Sequence, residues 1–353
     1  MSEIAGIQHE RVAHFFRAHV PGGDCALSFT LIRGGRSNLT YLVSGNGRQW
    51  VLRRPPLGHV LPTAHDMARE YRVLSALNGS AVPAPRPIAL CEDPAVNQMP
   101  FYVMTYCPGV VLASDIPAGY AETPAERRRI SEALVETLVQ LHAVDYRAVG
   151  LQDFGRPEGY LERQVRRWSQ QWERSKTGEL PEIDELIRRL NAALPPSPPP
   201  TIVHGDYRLG NLALADNDPG RVVAVFDWEM ATIGDPLADL GYTLIYWAEA
   251  GDPNSAGGIG AMSAFTAQEG FFTRAQITAE YAKRSGRNLE TIDFYQVLAL
   301  YKLAVISEGI YARFLMGKTL GEGFEGMVRA AAPLAQRALA IAGGSPDARL
   351  RGK

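Results

Sequence analysis

Three oxygen-bearing side chains could do phosphoryl chemistry together: Asp206, Asn211 and Asp227. Asp206 closes the stretch Thr201-Ile-Val-His204-Gly205-Asp206, and Asn211 follows five residues later. A second apolar run, Val222 to Phe226, ends in Asp227. Phosphoryl transfer to a hydroxyl needs such a set. One carboxylate accepts the hydroxyl proton, while an Asn and an Asp hold Mg²⁺ across the phosphates. Mg²⁺ prefers oxygen ligands and takes one or two protein carboxylates, with phosphate and water supplying the rest. Taken alone, His204-Gly205-Asp206 is as readily a polar turn after a buried strand. Asn211 at this offset, and Asp227 at the end of the next run, make the joint occurrence point to chemistry.

These groups need strands to deliver them and a scaffold to carry the strands. Val12, Phe15, Phe16 and Val20 predict an amphipathic helix over 9–20. A strand is expected over 27–32, then the turn Arg33-Gly34-Gly35-Arg36-Ser37-Asn38, then strands over 39–44 and 49–53. Adjacent glycines let backbone N–H groups approach a phosphate, although an ordinary glycine turn reads the same way. On the last strand, alternation puts Arg53 on one face with Val51 and leaves Arg54 as an expected exposed charge. A helical pattern over 65–78 carries Glu70, and strands are expected over 88–92 and 101–104. From Thr123-Pro124 onward the apolar spacing is helical, with an expected two-helix insert over 159–192. Within that insert Arg163, Arg166, Arg167, Arg174 and Lys176 cluster. They read as a solvated helix face or, alternatively, as an anionic-substrate site. Asp235 and Asp239 could each be metal ligands, but they read better as groups that cap the next helix and hydrogen-bond the loop of Asp206. His142 reads as a packed or capping histidine, and the tail from Gly343 as loose.

The chain has 353 residues, 46% hydrophobic and 21% charged, suited to two lobes of a soluble protein. A formal net charge of −2 implies no general attraction to nucleic acid or to an anionic membrane. Cys25, Cys91 and Cys107 lack metal-ligand spacing and fit reduced thiols. With no membrane-length apolar run and no signal-peptide pattern at the N-terminus, the expectation is a cytoplasmic protein. Nothing in the sequence speaks to oligomeric state.

At His204-Gly205-Asp206, Asn211 and Asp227-Trp228-Glu229 the chain resembles the aminoglycoside phosphotransferase family, a branch of the protein-kinase-like fold. The resemblance runs from about Leu27 to Ile341. It implies an α+β, two-lobe architecture: a nucleotide-binding lobe with a small antiparallel sheet over 1–104, a hinge over 105–109, and a large, mainly helical lobe over 110–353. It implies ATP as donor, Mg²⁺ as metal and a small-molecule hydroxyl as acceptor. Asp206 would be the catalytic base, with Asn211 and Asp227 on the metal. Gly34, Gly35, Ser37 and Asn38 would lie over the phosphates. Arg53 would stand where kinases place a lysine, tethered by Glu70. The Thr105 carbonyl and the Cys107 amide would read the adenine edge. Val51-Leu-Arg-Arg-Pro-Pro56 and Trp228-Glu229-Met-Ala-Thr-Ile-Gly-Asp235-Pro236 are similar to the subgroup fused to acyl-CoA dehydrogenases, which implies a hydroxyacyl acceptor. The alternatives are an aminoglycoside kinase proper and a catalytically silent nucleotide-binding pseudokinase. A protein kinase fits less well, because no activation segment ending in Ala-Pro-Glu follows Asp227.

Overall fold

The structure, a computed structural model, describes residues 4–32, 38–57, 65–252, 258–316 and 330–353. The chain divides into two compact units: Met1–Val110 with Val223–Ala231, and Val111–Val222 with Thr232–Lys353.

The first unit runs α1 (His9–His19), β1 (Ser28–Leu31), β2 (Leu39–Gly45), β3 (Arg48–Arg54), α2 (Met67–Leu77), β4 (Pro87–Cys91), the single turn α3 (Pro94–Asn97) and β5 (Phe101–Thr105). Its five strands form one antiparallel sheet in the order β1-β2-β3-β5-β4. Asn46 and Gly47 turn β2 into β3 with φ of 48° and 74°. Two positive φ values suit a tight hairpin, and Asn and Gly tolerate them best. Alternation then sorts the β3 side chains. Trp50 and Leu52 join the core that α1 builds with Val12, Phe15 and Phe16. Val51 and Arg53 point to the opposite face, on the side of α2.

Arg54 departs from expectation. It is buried, on the same face as Trp50 and Leu52. The segment ahead of α1 crosses it, and its guanidinium donates to the Gly6 carbonyl and, at 3.2 Å, to that of Pro55. A covered cation must spend its N–H groups on acceptors. The cover comes from residues 4–7, which have no periodicity to announce it.

The second unit holds α4 (Pro124–Ala143), α5 (Tyr160–Ser175), α6 (Pro181–Ala192), β6 (Thr201–Val203), β7 (Leu212–Ala215), β9 (Thr232–Gly234), α7 (Leu237–Tyr246), α8 (Arg274–Ser285), α9 (Ile292–Leu315) and α10 (Ala331–Gly344). Strand β8 (Asp218–Val225) pairs with β7 and carries the chain back into the first unit. Thr123 and Glu126 cap α4 reciprocally, with Pro124 at its first position. The long helix α9 packs against α5, α6, α7 and α10. A helix enclosed on several sides is apolar around most of its girth. β6 and β9 pair antiparallel, Ile202 opposite Ile233. The tail is not loose. Leu350 is buried, its carbonyl is within reach of Arg189, and Arg351 turns back onto the carbonyls of Ser345 and Pro346. Among the described residues no helix is long and apolar enough to cross a membrane.

Candidate active site

In the first unit a charged cluster forms on the α2 face of the sheet. Arg53 Nε lies 2.9 Å from Glu70 Oε2, and its Nη2 lies 2.5 Å from Asp227 Oδ1 and 3.7 Å from Glu229 Oε2. Glu70 is almost fully buried and also accepts from the Tyr102 hydroxyl at 2.9 Å. Burial pushes the Glu70 carboxyl up to about 7, against the pull of Arg53 and of that hydroxyl. Burial works against the Arg53 charge too, but Glu70, Tyr102, Asp227 and Glu229 together hold its pKa above the ordinary value. Asn38 sits just before β2 and is buried. Its Nδ2 donates to Glu70 at 2.8 Å and to Glu229 at 3.0 Å, while its Oδ1 has no partner among the described residues.

Asp227 has a left-handed backbone, φ 67° and ψ 61°, between the end of β8 and a 3-10 turn over Trp228–Met230. Asp and Asn occupy this region more readily than other side chains, and such conformations gather at functional sites. Trp228 is buried and braces the turn, donating from Nε1 to the Val225 carbonyl at 2.8 Å. Thr105 and Cys107 close the strand end. The Arg86 N–H donates to Thr105 Oγ1 at 2.9 Å, and the Cys107 thiol lies 4.0 Å from the Thr105 carbonyl. Gly34, Gly35 and Ser37 lie outside the described residues.

In the second unit Asp206 is held mostly through main chain. His204 is fully buried, and its Nδ1 accepts the Asp206 N–H at 3.2 Å. The His204 and Gly205 N–H groups each donate to the Asp239 carboxylate at 2.7 Å. Asp239 is also 3.3 Å from His142 Nε2, whose Nδ1 faces the Tyr281 hydroxyl at 2.7 Å. Burial would raise the Asp239 carboxyl, but its partners His142 and His204 bring it below the usual carboxylate range. Burial lowers the His142 pKa. A neutral imidazole that accepts from Tyr281 and donates to Asp239 satisfies both contacts. Asp235 serves the helix start: it accepts from the Leu237 N–H at 3.0 Å and from the Tyr295 hydroxyl at 2.7 Å.

A 3-10 turn over Leu209–Asn211 brings Asn211 back to Asp206. Asn211 Nδ2 donates to Asp206 Oδ2 and to its carbonyl, both at 2.8 Å. That commits the amide nitrogen and leaves Oδ1 as the group able to take a metal. Among the described residues no three His, Cys, Asp or Glu side chains converge as a metal cage. Taken unit by unit, Asp227 offers a carboxylate in the first and Asn211 an amide oxygen in the second, each an oxygen donor of the kind Mg²⁺ takes.

Sequence reasoning missed the cations and rings around Asp206. Arg208 Nε lies 3.3 Å from Asp206 Oδ1, with its guanidinium 5.2 Å from the Tyr246 ring centre. Lys302 on α9 donates to the Gly205 carbonyl at 3.0 Å and stands 4.8 Å from the Tyr242 ring and 5.9 Å from that of Trp168. Burial lowers its pKa, while Asp206 and Asp239 pull the other way. Arg208 was visible two positions after Asp206, and Lys302 as a lone cation inside an apolar helix. In the expected basic cluster, Arg163 donates to the Glu158 and Arg156 carbonyls and Arg174 contacts Gln171. Lys176 pairs with Glu173 and Glu179, and Arg166 and Arg167 are exposed. The buried face of α5 is Tyr160, Leu161, Val165, Trp168 and Trp172.

Residues 28–274 match the Phosphotransferase enzyme family. The chain is 35% identical over 326 residues to acyl-CoA dehydrogenase family member 11 of Gallus gallus, a match covering 90% of this chain and 40% of that protein. It thus spans about two fifths of the length of that relative. A crystal structure from Ralstonia eutropha, provisionally named an aminoglycoside phosphotransferase, superposes with a TM-score of 0.79 at 33% identity, covering 96% of this chain and 99% of the other. The GDP and kanamycin complex of APH(2")-IIia superposes with a TM-score of 0.61 at 16% identity, covering 93% and 98%, a likeness of fold alone. With an antiparallel-sheet unit, a helical unit and these matches along most of its length, the chain belongs to the phosphotransferase enzyme family and has its α+β, kinase-like fold.

Proposed function

We propose that the chain moves the γ-phosphoryl group of ATP, with Mg²⁺, to the hydroxyl of a small molecule, and that this acceptor is a hydroxyacyl compound. The acceptor oxygen attacks the γ-phosphorus as its proton passes to Asp206, the bond to the β–γ bridging oxygen breaks, and ADP leaves. Asn211, through its amide oxygen, and Asp227, through its carboxylate, would hold the metal, which would supply neutralisation of phosphate charge. Arg53 is the cation for the nucleotide phosphates, with Glu70 keeping it extended. Asn38, Gly34, Gly35 and Ser37 take the phosphate side, and Thr105 and Cys107 the base. In this scheme residues 1–104 form the nucleotide lobe, 105–109 the hinge and 110–353 the catalytic lobe. The nucleotide in the complex of similar fold supports this side of the reading.

The observation that carries the acceptor is the charge beside Asp206. Arg208 and Lys302 stand there among Tyr242, Tyr246 and Trp168. Like charges repel a polycation, so these two residues oppose an aminoglycoside and favour an acceptor with an anionic or polarised acyl end. Retention of Asp206, Asn211 and Asp227 speaks against a silent pseudokinase. The test is mass spectrometry after incubation with Mg-ATP and either a short hydroxyacyl thioester or kanamycin. Phosphoryl gain on the thioester alone is expected; gain on kanamycin alone would reverse the acceptor assignment.

A further inference from the structure

Lys302 interrupts a helix that is otherwise buried and apolar around it, with Tyr301, Leu303 and Ala304 as neighbours. An ammonium there is costly unless it has a strong acceptor. Its acceptor is the main chain of the loop carrying Asp206: Nζ donates to the Gly205 carbonyl at 3.0 Å. The peptide groups of Gly205 are thereby held from three sides. Its N–H goes to Asp239 Oδ1 at 2.7 Å, its carbonyl to Lys302, and the next N–H, of Asp206, to His204 Nδ1 at 3.2 Å. Gly205 has φ 84°, a conformation glycine enters without side-chain cost but also leaves easily. The Gly205 carbonyl and the Asp206 N–H share one rigid peptide plane. A cation on that oxygen sets the tilt of the plane and so the direction in which the Asp206 side chain departs.

We propose that Lys302 is a positioning residue for phosphoryl transfer: its ammonium locks the Gly205–Asp206 peptide and so aims the Asp206 carboxylate. The inference rests on Asp206 being the proton acceptor, and it gives a reason for a charge rather than a neutral donor at this place. A charge-assisted hydrogen bond is about twice as strong as a neutral one. The Tyr242 and Trp168 rings stabilise the cation from their faces.

Two variants of the full chain test this. Lys302→Met keeps length and apolar stem; Lys302→Arg keeps charge and donor. With Mg-ATP and a short hydroxyacyl thioester, Lys302→Met should lose about 10–100-fold in kcat, as small misplacements do. Its KM for ATP should stay within about two-fold, because the loss lies in aim rather than in uniform binding. Lys302→Arg should recover most of the loss. Hydrogen exchange read on residues 203–208 should be faster in Lys302→Met by about ten-fold and near normal in Lys302→Arg. Unchanged kcat in Lys302→Met, or equal losses of kcat and of ATP affinity in both variants, would overturn the proposal. If the wild-type chain does not phosphorylate the thioester, the acceptor assignment fails, and the exchange measurement alone decides the role of Lys302: no change in Lys302→Met rejects it.

Discussion

The two polar clusters are held by different means. In the first unit Arg53, Glu70, Asp227 and Glu229 hold one another, side chain to side chain. In the second, Asp206 rides on a loop whose backbone N–H groups are bound by Asp239 and whose carbonyl is bound by Lys302. A network of side-chain charges can exchange partners when a phosphate enters, since each ion pair has alternatives nearby. A loop pinned through its main chain has no such freedom. Under the proposed function the first cluster serves affinity and the second geometry, and substitutions should separate them accordingly.

The largest effect is expected at the pin. Asp239→Ala leaves the His204 and Gly205 N–H groups and the buried His142 without their acceptor, at a cost of about 3–5 kcal/mol. Urea unfolding measures this, and a loss below about 1 kcal/mol would mean the loop holds itself. Next comes Asp227→Asn, chosen because Asn tolerates the left-handed backbone. It should lose more than about 100-fold of the Mg²⁺-dependent turnover, with the urea midpoint nearly unmoved. Persistence of activity within a few-fold would remove Asp227 from the metal.

The arginine pair sharpens the comparison further. Arg53→Ala should weaken ATP binding about ten-fold by calorimetry, the scale of one lost charge-assisted contact. Arg54→Ala should leave affinity alone and cost about 1–3 kcal/mol of stability, because its guanidinium serves Gly6 on the far face. Reversed effects would exchange the two assignments.

The smallest effect is a pH dependence. The folded chain holds His142 neutral, with its pKa lowered by burial. The unfolded chain takes up that proton near pH 6.5. Below about 6.5 the unfolded state therefore binds more protons, and stability falls as pH falls, by at most about 1.4 kcal/mol per unit. The contribution is complete above that pH. His142→Gln should flatten the slope between about pH 6.5 and 5; an unchanged slope in urea titrations would move its origin elsewhere.

Much of this was legible because it is local. Asp206, Asn211 and Asp227 are announced by short apolar runs that end in them, and the Asn46-Gly47 hairpin by its own turn chemistry. Alternation along β3 put Arg53 on the face where Glu70 meets it. Alternation could not say what covers the other face, so the burial of Arg54 was invisible. Lys302 lies nearly a hundred residues from Gly205, and no spacing rule links them. The basic insert left two readings open, a solvated helix face and an anionic-substrate site. Its sequence shows charge but not the carbonyls and carboxylates that engage Arg163 and Lys176 nearby.

The central claim is that Asp206 takes the acceptor proton during transfer from ATP. Phosphorus-31 NMR of wild type and Asp206→Asn, each with Mg-ATP and a short hydroxyacyl thioester, tests it most directly. Wild type should convert the γ-phosphate resonance into that of a phosphate monoester. The variant should still bind ATP and yet form the ester at least about 100-fold more slowly, since an amide can accept a hydrogen bond but not the proton. Ester formation by the variant at the wild-type rate would contradict the account.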